Sequence, residues 1–105
     1  MKRKSLKHID SPLANALEIV GEWWTLLIVQ SVRDGSHRFE PIQRDLKIAR
    51  NILTDRLNTL VAAGVLDRRL YQAKPERYEY HLTDMGHDLS RAIDEMSSWG
   101  QRWLA

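Results

Sequence analysis

Apolar residues recur at three- and four-residue intervals along most of the chain, and the interval shortens to alternation in one stretch. Leu13, Ala16, Leu17 and Val20 follow Ser11 and Pro12, an N-cap and a first-turn proline, so a first helix is predicted up to Gly21. From Trp23 to Arg33 the run WWTLLIVQSVR is apolar on nearly every side, which predicts a helix in the middle of the domain, stopped by Asp34-Gly35. A short extended HRF segment leads to Phe39, Ile42 and Leu46, whose spacing predicts a brief helix over Glu40 to Asp45 with Pro41 in its first turn. After a turn through Lys47-Ile48, Leu53, Leu57, Leu60 and Val61 fall on one stripe and predict a helix from Ala49 to Ala63, ended by Gly64. Val65 to Gln72 and Tyr78 to Leu82 favour strand formers and flank the turn-like AKPER, a hairpin with a basic tip. Thr83 caps a last helix that carries Leu89, Ile93, Met96, Gly100 and Trp103 on one face, with Ala92 and Trp99 beside it.

This order is mainly α with a small β-hairpin, and a helix-turn-helix followed at once by a two-stranded wing has a mechanical use. The second helix of the pair fits the major groove, where base edges distinguish all four base pairs. With the leucines of residues 49–63 turned inward, Arg50, Asn51, Thr54, Asp55 and Asn58 face out. Arg suits guanine, Asn suits adenine, Thr suits a thymine methyl or a phosphate, and Asp55 either accepts from cytosine or orients Arg56. Arg38, Arg44 and Arg56 around the helix pair, with Lys74 and Arg77 at the tip of a wing spanning Gln72 to Tyr78, suit phosphates, which fix register without reading sequence.

Composition and charge sharpen this picture. At 105 residues the chain fits one domain, since a domain takes roughly 100–200 residues, and leaves no room for a separate catalytic module. The net charge of +2 hides an uneven distribution. Residues 1–8 and 37–77 together carry +8, while residues 9–36 and 78–105 carry −3 each, so a phosphate backbone would meet a strongly basic middle. Lys2, Arg3, Lys4 and Lys7 predict a flexible basic arm over residues 1–10, ahead of a single domain over residues 11–105. The start lacks the apolar core of a secretory signal and no run approaches a membrane span, which places the expected location in the cytoplasm, with no membrane partner.

The segment SPLANALEIVGEWWTLLI resembles the opening C-P-x-x-x-A-L-x-x-x-G-x-x-W-T-x-L-I of the HxlR family of bacterial winged helix-turn-helix regulators. The similarity continues through HRFEPIQRDL, ILTDRLNTLVAAGVLDR and RYEYHLTDMGHDL to Trp99-Gly100, nearly the whole chain. It implies a homodimer built from extra N- and C-terminal helices, with recognition helices presented to successive major grooves of a roughly palindromic operator. Leu13, Leu17, Ile93, Met96, Trp99 and Trp103 are the candidate dimer residues. Three departures stand out. Ser11 replaces the cysteine that many members carry, which excludes thiol sensing in a chain with no cysteine. Trp23 stands where Lys is common. Ala49 stands where Ser often caps the recognition helix, so the first turn lacks a side-chain acceptor.

Other chemistries have less support. His8, His37, His81 and His87 show no metal-ligand spacing, and no phosphate loop or nucleophile motif is present, so neither cofactor nor catalysis is expected. Two alternatives remain open. One is a regulator responding to an aromatic small-molecule effector held by Trp23, Trp24, Trp99 and Trp103 between the first and last helices. The other is a winged helix that docks on protein.

Overall fold

A computed structural model describes residues 5–105. Five helices and one antiparallel hairpin follow in order: α1 (Pro12–Val20), α2 (Thr25–Arg33), α3 (Phe39–Leu46), α4 (Arg50–Ala62), β1 (Leu66–Ala73), β2 (Glu76–Leu82) and α5 (Asp84–Leu104). The arrangement is a winged helix-turn-helix, with α3 and α4 as the helix pair and β1–β2 as the wing.

α2 is the centre, burying Thr25, Ile28, Val29 and Val32. It begins two residues later than the apolar run suggests, because the Glu22 carboxylate accepts the Trp24 N–H at 2.8 Å and the Thr25 hydroxyl at 3.3 Å and holds the preceding residues as a capped turn. Around it pack Ile42 of α3, Leu53, Leu57 and Leu60 of α4, Ile48 in the turn between them, and Ile93 of α5. Lys47 ends α3 in the left-handed region at φ 54, which swings the chain so that Ile48 drops into the core and α4 starts in a new direction.

Gly64, at φ 85, turns the chain from α4 into β1. β1 and β2 pair with Leu66 opposite Leu82 and Arg68 opposite Tyr80, with a register shift between Leu70 and Gln72. The strands run further than alternation indicates, to Ala73 and Glu76, leaving Lys74-Pro75 as the tip. β1 buries only Leu66, so most of the wing projects from the body. Its base is anchored instead by the segment before α3: Arg38 bridges to Glu79, and the Tyr80 N–H donates to the His37 carbonyl at 2.6 Å.

β2 runs almost without a break into α5. The Thr83 oxygen accepts the Gly86 N–H at 3.2 Å, and its hydroxyl faces the Gly64 and Val65 carbonyls. A Cβ on Gly86 would lie 2.4 Å from the Val65 carbonyl oxygen, so glycine is what lets the helix approach the hairpin base. Thr83→Ala is expected to cost about 1–2 kcal/mol, the usual worth of an N-cap. Urea titration should show a lower midpoint with an unchanged slope.

Among the described residues no helix is long and apolar enough to cross a membrane. α1 is the least committed element. It is capped by Ser11, buries only Ala14, and turns Leu13 and Leu17 to solvent.

Candidate nucleic-acid interface

The buried stripe Leu53, Leu57, Leu60 fixes which edge of α4 meets solvent, and Arg50, Asn51, Thr54, Asp55 and Asn58 all lie on it, exposed. No side chain caps this helix at Ala49. The Thr54 hydroxyl donates back to the Arg50 carbonyl at 2.9 Å. Beside this edge, a cleft of about 680 Å³ separates the first turns of α3 and α4 from the wing. Arg38, Arg44, Arg50 and Arg77 line it, so four guanidinium groups surround one opening.

Aromatic rings and carboxylates hold two of these cations in place. The Arg50 guanidinium lies 4.5 Å over the Phe39 ring and 3.3 Å from Glu40. That of Arg38 lies 3.9 Å over Tyr71 and 3.1 Å from Glu79. Both pairs are solvent-exposed, so the ion pairing orients the groups more than it stabilises the fold. The Glu79 carboxyl is held below its ordinary range by His81 first and Arg38 second. Lys74 and Arg77 stand exposed at the wing tip. Phe39, Glu40 and Tyr71 were not legible as part of this site, because what places them there is a fold contact with the arginines and not a spacing.

Two expectations need correction. Arg56, assigned above to phosphates, is turned into the protein. Its Nε lies 2.7 Å from Glu22, its Nη1 pairs with Asp55, and its side chain is only 26% exposed. Pairing with Glu22 raises its pKa. Burial pushes the Glu22 carboxyl up, but Arg56, the Trp24 N–H and the Thr25 hydroxyl together outweigh this and hold it below the ordinary range. Ile93, a candidate dimer residue, is 5% exposed and belongs to the core of the single chain. Ahead of α1, the Ser5 hydroxyl and the Leu6 N–H both donate to Glu18. Lys2, Arg3 and Lys4 lie outside the described residues; Lys7 is exposed.

The histidines gain a relation that spacing did not show. The His37 and His81 rings stack at 4.3 Å between centroids, with His37 Nδ1 2.9 Å from the Tyr80 carbonyl and His81 Nε2 3.1 Å from Glu79. They brace the wing root, and no group of three potential metal ligands occurs among the described residues.

A second surface lies on α1 and α5. Met96, Trp99 and Trp103 project from one face of α5, the tryptophans 57% and 68% exposed, and Leu13 and Leu17 project from α1. A shallow groove of about 200 Å³ between α2 and α5, lined by Leu26, Leu27, Gln30, Ile93, Met96 and Ser97, contains none of the four tryptophans. Trp24 packs against the core while Trp23 is exposed.

A family model described as HxlR-like helix-turn-helix matches residues 19–105. An HTH-type transcriptional regulator of Mycobacterium tuberculosis strain H37Rv is 46% identical over 92 residues, covering 88% of this chain and 58% of that protein. The chain therefore spans little more than half the length of that relative. The HTH-type transcriptional regulator YvaP of Bacillus subtilis is 36% identical over 85% of this chain and 83% of its own length. Among solved structures, the transcription factor PA1607 superposes with a TM-score of 0.88 at 33% identity, covering 97% of this chain and 71% of that one.

Proposed function

Since the chain belongs to the HxlR-like helix-turn-helix family, we propose that it is a sequence-specific regulator of transcription that binds duplex DNA as a homodimer. One observation carries this reading: the exposed edge of α4 presents Arg50, Asn51, Thr54 and Asp55 beside a cleft ringed by arginines, while the same helix buries its leucines.

In this reading α4 enters the major groove and its first two turns meet base edges. Arg38 and Arg44 flank the groove and contact phosphate, and the wing carries Lys74 and Arg77 onto the adjacent backbone. Leu13, Leu17, Met96, Trp99 and Trp103 form the surface on which the second copy packs, because large apolar side chains left exposed together on helix faces mark an interaction surface. With no cysteine in the chain, its regulation runs without thiol oxidation.

The test is selection of bound duplexes from a random pool. Enrichment of a roughly palindromic site is expected, with half-sites about 34–36 Å apart or a multiple of that, and with affinity falling steeply as salt rises. A pool that yields no site, or binding indifferent to salt, would exclude the reading. Lys74→Ala should weaken selected and random duplexes alike and lower the salt slope by about one. A change of base preference in that variant would mean that the wing reads sequence.

A further inference from the structure

Glu22 lies far from the exposed edge of α4 in sequence and outside the arginine-lined cleft, yet it ties α4 to the chain just before α2 through an ion pair with Arg56. A single carboxylate oxygen, Oε1, accepts the Trp24 N–H at 2.8 Å and the Thr25 hydroxyl at 3.3 Å, and lies 2.7 Å from Arg56 Nε in an ion pair. Glu22 and Arg56 are largely withdrawn from water, with side chains 21% and 26% exposed. Both helices also contribute apolar residues to the core, Ile28 and Val29 from α2 and Leu53 and Leu57 from α4. The leucine stripe selects which edge of α4 meets solvent, but apolar contact is not directional and holds small rotations of the helix about its own axis less tightly. A short ion pair ties one point of α4 to the chain before α2, and a guanidinium that loses its partner in a half-buried site is costly to leave there.

We infer that Glu22 is a positioning residue for DNA recognition, which sets the rotation of α4 through Arg56 and so holds Arg50 and Asn51 in register with the base edges. This rests on the DNA-binding reading above. Bidentate base contacts tolerate little angular error, whereas phosphate contacts through long flexible side chains tolerate much more. Loss of Glu22 should therefore reduce discrimination and leave non-specific affinity alone.

Glu22→Gln, Arg56→Gln and the double variant are titrated against the selected operator and against random duplex over a range of salt, with far-UV circular dichroism confirming the fold. Glu22→Gln is expected to weaken operator binding on the order of tenfold, with random-duplex affinity and salt slope unchanged, and the double variant should lose no more than either single one. Glu22→Asp keeps the charge but is too short to reach both α2 and Arg56. It should fall between wild type and Glu22→Gln, and it serves as the decisive variant if the glutamine protein does not fold. An unchanged ratio of operator to random affinity in whichever variant folds overturns the inference. So does a salt slope reduced by about one in Arg56→Gln, which would make Arg56 a phosphate contact. A wild-type protein with no operator preference is a different failure, because it removes the DNA-binding reading itself.

Discussion

Replacing Trp99 and Trp103 together with aspartate should yield a folded monomer whose operator affinity is lower by about two to four orders of magnitude, the range that linking two binding modules supplies. Both rings project from α5 into solvent in the single chain, so their loss removes little of the core built on α2. At the interface of two copies, the substituted carboxylates would be buried against Met96, Leu13 and Leu17 with no partner, a cost that apolar contact cannot offset. A monomer reaches one half-site only, and the second contact no longer benefits from being tethered. Analytical ultracentrifugation paired with operator titration checks both halves of the expectation. A variant that stays dimeric, or a monomer that binds as tightly as wild type, would place the second copy elsewhere.

Arg50→Ala should cost about 1–3 kcal/mol on the operator, roughly 5- to 150-fold, and relax a single base position. In the free protein the guanidinium already rests on Phe39 beside Glu40, which limits the conformations it must give up on reaching a base. Leaving Glu40 costs little, because both members of the pair are exposed. Arg50→Lys should recover only part of this, since an ammonium lacks the planar fork that presents two parallel N–H groups to guanine. Titration against the operator and its single-base variants separates this from a phosphate contact, whose loss would weaken every site equally.

Much of the fold was legible in the chain because its helices are two-faced. Leu53, Leu57 and Leu60 mark the buried stripe of α4, so the opposite edge follows by elimination, and Arg50, Asn51, Thr54 and Asp55 stand where that stripe puts them. The same logic fails on α5. Ile93, Met96, Trp99 and Trp103 share one apolar face, and nothing in their spacing tells that the first meets its own core while the others remain uncovered. Arg56 and His37 show a second limit. Both sit in basic surroundings that suit phosphate, but Arg56 is taken by Glu22 and His37 by Tyr80 and His81, partners distant in sequence. Tertiary partners leave no local signature, and the start of α2 was misplaced because Trp23 and Trp24 belong to a turn held by the Glu22 carboxylate, which the apolar run does not show.

The junction at Thr83 and Gly86 has a geometric corollary. Because β2 passes into α5 with no linker and Gly86 seats that helix against the Val65 carbonyl, each wing travels with α5, the helix on which the proposed dimer would be built. The gap between the two wings would then be fixed by how the terminal helices cross, like the span of a pair of callipers set at the hinge. Repacking that crossing should shift the preferred number of base pairs between operator halves while leaving the sequence of each half the same.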